Sequence, residues 1–271
     1  MGDGARPWAI DAGLARELSD ALGWRAADGP SALAALMPAF VPMGSTAKLA
    51  AIDRGEVPPG ADVEALARSV LGGRTASPSY SCWVASTVMA ALVDGAGLGP
   101  VHVAATRRCD AAAPMVDFHA AVVVDDPDGG SWICDPYFGV SVALPAEAEA
   151  RASATGSTGT TAATRSTDGG WHYDLGLDVW DIVLRFRCFG PALDRGDVRA
   201  MAAVSVTHTG VPLRPYARVH LGDGIDDASE AADGTGVLHR WTAAEGRQEH
   251  VVASWPDAVE VFAERTGTRI I

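Results

Sequence analysis

Apolar positions recur at steps of three and four through the first third of the chain and at steps of two beyond it. Ile10, Leu14, Leu18 and Leu22 predict a helix over residues 7–22 that Gly23 closes. Asp28-Gly29-Pro30-Ser31 turns the chain into a second helix, Ala32 to Met37, which Pro38 is expected to end. Ser45 caps a third through Ile52. Pro58-Pro59-Gly60 is a linker, and Asp62 caps a fourth with Val63, Leu66, Val70 and Leu71 on one face, ended by Gly72-Gly73. A fifth begins at Cys82, repeats Val84, Val88, Ala91 and Leu92, and stops at Gly95 and Gly97; Ser79 and Ser81 are available as its caps.

The texture changes at Gly99-Pro100. Val101 to Ala105, Asp117 to Val124, Ser131 to Asp135 and Val140 to Leu144 are short β runs, and Asp125 to Gly130 supplies hairpin chemistry between the second and third. Residues 146–170, rich in Ala, Thr, Ser and Gly, show no period and are expected to be a flexible insertion. Trp171 to Leu175 and Asp181 to Phe189 return to strand texture, while Asp197 to Val204 is left open between helix and strand. Val204 to Thr207 and Tyr216 to Leu221 alternate; Asp223 to Gly236 is expected to be a surface loop. Strands near Val237 to Thr242 and Gln248 to Ser254 lead to a terminal helix from Pro256-Asp257 to Gly267. The pattern predicts an α+β protein with a helical part at 1–98, a β part at 99–195 and a mixed part at 196–271.

Composition narrows the function. With 48% hydrophobic and 20% charged residues over 271 positions, the chain can bury a real core and is not disordered. A formal net charge of −13 argues against nucleic acid or an anionic membrane as partner. No apolar run approaches the ~20 residues of a membrane helix, and Met1 to Trp8 lacks a signal-peptide layout, so a cytoplasmic protein is expected. The four cysteines (82, 109, 134 and 188) are scattered, and the histidines show no ligand spacing, so no metal is expected.

The chemistry gathers at three positions. Cys82 opens a helix, where unpaired N–H groups and the helix dipole favour a negative sulfur. A thiol nucleophile needs an imidazole to take its proton and a carboxylate to orient that imidazole. Reflecting the hairpin about position 127 sets His119 directly across from Asp135. Each residue alone has an ordinary alternative: a small buried hydrophobe, a core histidine, a turn carboxylate before Pro136. Together they predict a Cys82–His119–Asp135 thiol enzyme. Trp83, Phe118, Tyr137 and Phe138 are candidates for an acceptor pocket, with core packing an equal alternative. Arg74, Arg107 and Arg108 are the nearest cations for an anionic donor, with solvated surface as the alternative. Cys134, next to Asp135, faces the other side of its strand and is expected in the core.

A helix-rich start, a cysteine on a helix, a histidine on a strand, and Asp135-Pro136-Tyr137-Phe138-Gly139 together resemble the arylamine N-acetyltransferase family over nearly the whole chain. Val63 to Gly73 is similar to the helix leading to its Arg-Gly-Gly-x-Cys motif, and Gly246 to Thr268 to its closing strand and helix. Two positions depart: Gly72-Gly73-Arg74 precedes a longer loop to Cys82, and Val84 stands where a Glu is common. Cys82-Trp83-Val84, His119-Ala120-x-Val122 and Trp132-x-x-Asp135-Pro136 also resemble the wider transglutaminase-like, papain-like core. The family resemblance implies a helical bundle, a central antiparallel β-barrel and a C-terminal α/β lid. It implies a ping-pong transfer from acetyl-CoA or another acyl-CoA through the cysteine to a small-molecule amine. An acyl carrier protein as donor, an amide synthase of natural-product assembly, and a transglutaminase-like or amide-hydrolysing enzyme remain open. So does a binding module that kept the fold.

Overall fold

The computed structural model describes residues 8–56, 63–72, 76–77, 79–108, 115–127, 129–147, 149–156, 159–166, 171–177, 182–188, 214–222, 224–242 and 244–270. The expected elements at Asp197 to Thr207 lie outside them.

Among the described residues five α-helices come first: α1 (Ala12–Leu22), α2 (Gly29–Phe40), α3 (Thr46–Asp53), α4 (Val63–Gly72) and α5 (Cys82–Ala96). Asp11 caps α1 by accepting the Leu14 N–H at 3.0 Å, and Leu14, Leu18 and Leu22 are its buried stripe. Helix α2 runs through Pro38 rather than stopping there, with Pro30 in its first turn. Its apolar face, Leu33, Ala34, Met37 and Pro38, is buried, and that burial outweighs the one backbone bond Pro38 removes. Helix α5 is enclosed on every side: each residue from Cys82 to Asp94 is buried. Such a helix has no solvent face to pattern, which fits an apolar run broken only by small polar groups. Gly97 ends it in the left-handed region at φ 69°.

Two sheets follow. The first is antiparallel, in the order β6-β5-β4-β3-β10-β9-β8-β7. Its strands are β3 (Val101–Arg108), β4 (Met115–Asp125), β5 (Ser131–Asp135), β6 (Val140–Leu144), β7 (Arg151–Gly156), β8 (Gly159–Arg165), β9 (Trp171–Leu177) and β10 (Ile182–Cys188). Helix α5 packs on β3 and β4, and Ser86 Oγ ties it to the Ala120 carbonyl at 3.1 Å. The expected closed barrel is not seen: among the described residues no ladder joins β6 to β7. The sheet is nevertheless strongly curled. The Arg165 side chain on β8 reaches the Pro145 carbonyl at 2.9 Å and Ser131 Oγ on β5 at 3.3 Å.

The expected flexible insertion is also corrected. Residues 151–156 and 159–165 are the paired strands β7 and β8, and β8 pairs in turn with β9, with Thr161 and Ala163 buried. Threonine suits a strand, and the alternation was hidden because small Ala and Thr side chains contrast little in hydrophobicity.

The second sheet runs β1-β11-β12-β13-β14, formed by β1 (Met43–Gly44), β11 (Tyr216–Leu221), β12 (Gly224–Glu230), β13 (Gly236–Thr242) and β14 (Gly246–Val252). The expected loop at Asp223 to Gly236 thus contains a central strand. Its acidic residues meet cations across the ladder, Asp226 opposite Arg240 and Asp227 opposite His239, which makes a polar strand tenable inside a sheet. Helix α6 (Trp255–Thr266) covers one face, burying Ala217, Val219, Ala228 and Leu238 against Ala258 and Phe262. Ser254 caps α6, and Gly267 ends it at φ 70°. A last strand, β15 (Arg269–Ile270), lies parallel to β2 (Ala76–Ser77), just upstream of α5.

Candidate functional site

Cys82 is the first residue of α5, with Ser81 as its N-cap in extended conformation. The chain entering that helix is knotted to the second sheet. Tyr80 bridges Met43, Ser79 Oγ donates to the Tyr216 carbonyl at 2.7 Å, and Ser45 Oγ donates to the Arg214 carbonyl at 2.7 Å. The Ser79 N–H donates to Thr46 Oγ1 at 2.7 Å. Gly44 sits so close to the Tyr216 carbonyl and Ser79 side chain that a Cβ there would overlap both. Cys82 is 9% exposed, buried yet touching the surface.

His119, on β4, is 3% exposed and Asp135, at the end of β5, 1%. The two are not directly opposed. The β4–β5 ladder pairs Val122 with Cys134, two residues out of step with a hairpin centred at 127, and ends there. His119 and Asp135 lie beyond it, and the ring spans the diagonal: Nε2 stands 2.7 Å from Asp135 Oδ2. Cys82 lies close enough for its charge to act on the imidazole, and the bond to Asp135 leaves the other ring nitrogen unused.

A carboxylate this buried is costly unless its oxygens are satisfied. Oδ1 accepts the backbone N–H of Tyr137 at 3.1 Å and of Phe138 at 3.2 Å. Oδ2 accepts from His119 and from the Tyr173 hydroxyl at 2.7 Å. The Pro136–Gly139 turn therefore has a job: it aims two N–H groups at Asp135.

Rings enclose the imidazole. Phe186 lies 5.1 Å away, Phe138 5.5 Å, and Tyr137 edge-on at 5.8 Å, centroid to centroid; Tyr173 stacks on Phe186 at 5.0 Å. Burial alone would push the His119 pKa down, but the charges of Asp135 and Cys82 and the hydrogen bond to Asp135 win, raising it to about 10. Tyr173 is held well above the usual phenol range by burial and by the Asp135 charge, so it stays a proton donor. Cys134 is fully buried and its thiol is raised by burial and by Asp135, as expected of a core cysteine.

Two further groups feel Cys82. Lys48 on α3 is lowered by burial, with the Cys82 charge opposing that shift. Tyr216 on β11 is raised by burial, with Cys82 adding and Arg218 opposing.

Tyr137 and Phe138 thus wall the imidazole and hold Asp135. Trp83 is 1% exposed within the main core, as its ordinary alternative has it. The side chains of Phe118, Arg107 and Arg108 lie outside the described residues, as does Arg74. The sequence reading missed Tyr173, Phe186, Lys48 and Tyr216. For Tyr173 a signal existed: Trp171, Tyr173 and Leu175 alternate, and all three are buried. Among the described residues no group of His, Cys, Asp or Glu is gathered as for a metal ion, and no helix is long and apolar enough to cross a membrane.

No known protein-family pattern and none of the curated proteins matches the sequence. Solved structures do. The arylamine N-acetyltransferase from Mycobacterium abscessus superposes with a TM-score of 0.76 at 15% identity, covering 100% of this chain and 95% of that one. The enzyme from Salmonella typhimurium gives 0.72 at 14%, covering 97% and 93%. That of Mycobacterium marinum in complex with CoA gives 0.71 at 16%, covering 93% and 91%. At such identities the likeness speaks for the fold, and it spans both sheets and the helices that precede them. The chain has the arylamine N-acetyltransferase fold.

Proposed function

We propose that the chain is an N-acyltransferase that carries an acyl group from a thioester donor to an amine as a Cys82 thioester. The observation that supports this reading is the buried His119–Asp135 bond at 2.7 Å, with Cys82 buried close enough for its charge to raise the imidazole. His119 takes the Cys82 proton, and the imidazolium is stabilised by Asp135. The sulfur attacks the donor carbonyl, and the first-turn N–H of Cys82 is a donor for the oxyanion. Collapse breaks the donor's C–S bond, His119 returns the proton to the departing thiol, and the acyl group stays on Cys82. An amine then attacks the new thioester, His119 takes its proton, and the amide leaves with Cys82 freed.

The donor is an acyl-CoA, with a carrier-protein thioester as the second source of the same chemistry. Support for coenzyme A comes from the fold shared with the M. marinum protein in complex with CoA. The acceptor is a small-molecule amine. In the transglutaminase-like or hydrolytic alternative the donor is an amide or the acceptor is water.

The test is intact-mass measurement after mixing with a panel of acyl thioesters, then with amines. The proposal expects an acyl mass on the native chain, none on Cys82→Ser, and its loss to an amide product on adding amine. Loss to the free acid at the same rate with and without amine means hydrolysis, and amide cleavage without a thioester adduct means the transglutaminase-like chemistry.

A further inference from the structure

Strand β11 has two unlike faces. Ala217 and Val219 point into the small core under α6, so by alternation Tyr216, Arg218 and His220 point to the other side. That side faces the main core, and at Tyr216 it comes within reach of the Cys82 charge. Tyr216 packs against the main core and carries the backbone carbonyl that Ser79 holds, three residues before Cys82. His220, at the far end, has its Nδ1 beside the space over Gly139, next to the turn that grips Asp135. Arg218 lies between them. The three side chains therefore form a row between the surroundings of Cys82 and the Asp135 turn, and each is partly buried.

Nothing in the acyl-transfer chemistry requires this row to be polar. Arg218 brings a cation, and Lys48 adds a second near Cys82. Asp227 stands opposite Arg218 on β12, and its Oδ1 is also engaged by His239 Nδ1 at 2.9 Å. His220 is pushed down to about 3 by burial and the Arg218 charge, so its ring is neutral. Its Nε2 is buried and has no hydrogen-bond partner among the described residues. A buried ring nitrogen left without a partner is costly, and a polar ligand group would relieve it.

We propose that Tyr216, Arg218 and His220, with Lys48 nearby, recognise a carboxylate borne by one of the two substrates brought to Cys82, an assignment of substrate class that rests on the acyl-transfer reading. A guanidinium matches a carboxylate in planar, two-pronged fashion. The Tyr216 hydroxyl is a further donor, as is the His220 ring in the tautomer that carries its proton on Nε2, and a partly buried setting strengthens each. The carboxylate comes from a dicarboxylic acyl donor or from an amino-acid-like or aminobenzoate-like acceptor.

The first arm needs no acyl transfer. N-phenyliodoacetamide and 4-(iodoacetamido)benzoate differ only in a carboxylate, and their alkylation of Cys82 is followed by intact mass on the full chain. Relative to glutathione, the native protein is expected to favour the carboxylate probe by about tenfold or more. Arg218→Met should bring the ratio down towards that of glutathione, and Arg218→Lys should keep part of it, with thermal unfolding reporting that both variants are folded. A native ratio at or below that of glutathione, or one unchanged in Arg218→Met, overturns the proposal.

The second arm finds the bearer. Faster acylation by succinyl than by acetyl thioester assigns the carboxylate to the donor; faster turnover with 4-aminobenzoate than with aniline assigns it to the acceptor. Preference in neither overturns the proposal for substrate. Carboxylate selection in the first arm with no acylation by any thioester overturns the acyl-transfer reading instead.

Discussion

The Tyr173 hydroxyl donates to Oδ2 of Asp135 at 2.7 Å although β9 and β5 are separated by three strands. Laid flat, strands about 4.8 Å apart would hold these residues nearly 20 Å from each other. The bond exists because the sheet curls, and it links that curl to the reach of His119. Removing it leaves a buried carboxylate oxygen one donor short. Tyr173→Phe is expected to cost about 1–3 kcal/mol of stability and to slow Cys82 acylation roughly tenfold or more. Thermal unfolding and single-turnover intact mass measure the two; a variant as fast and as stable as native contradicts the role.

Protonation of His119 makes stability depend on pH. Its folded pKa, about 10, stands above the ordinary 6.5 of imidazole, so the folded state holds this proton more tightly than the unfolded one. The contribution is fully present below pH 6.5 and is lost as pH rises towards 10. Denaturant titrations should show native stability falling across that window, and His119→Gln should flatten the fall. An equal slope in both proteins would place the proton elsewhere.

Much of this was legible in the sequence, and the rest fails for identifiable reasons. The helices from α1 to α5 and α6 follow from period, caps and glycine stops, and β5, β6 and β11 fall where alternation puts them. Cys82, His119 and Asp135 were singled out from chemistry and spacing, and of these His119 and Asp135 meet at 2.7 Å. The hairpin centre was not: the β4–β5 register is set by the ladder between Val122–Val124 and Trp132–Cys134, which turn composition alone does not fix. Helix α2 passes Pro38 because its neighbours bury it. Strand β12 was hidden by its own acidic residues, which only the partners on β13 make acceptable in a central position. Tyr173 was invisible as a partner of Asp135 because nothing local records the curl of a sheet.

Hairpin β7–β8 offers a test of order in the segment whose composition suggested none. Thr161 is 2% exposed, and its Oγ1 is buried without a hydrogen-bond partner among the described residues. Thr161→Val keeps the shape, removes the unsatisfied hydroxyl, and is expected to raise stability by about 1 kcal/mol. Differential scanning calorimetry reads the shift. No change, or a loss, would mean that this side chain is solvated and the strand not packed as described.

The knot between β1 and β11 carries the approach to Cys82. Gly44→Ala places a methyl against the Tyr216 carbonyl and the Ser79 side chain, so backbone must move. Overpacking of this kind costs about 1–3 kcal/mol. The variant should lose that much stability, and its Cys82 should acylate more slowly, because Ser79 leads directly into α5. Native-like unfolding and acylation together would show that the junction is looser than its bonds imply.

The measurement that bears most directly on the account is the rate of Cys82 acylation by a thioester in four proteins: native, Cys82→Ser, His119→Gln and the His119→Gln/Asp135→Asn double variant. Residues acting as one unit lose function together, not in proportion. The account predicts no adduct on Cys82→Ser, a loss of roughly a hundredfold or more in His119→Gln, and little further loss in the double variant. Acylation of Cys82→Ser at the native rate, or a His119→Gln protein that acylates as fast as native, would contradict it.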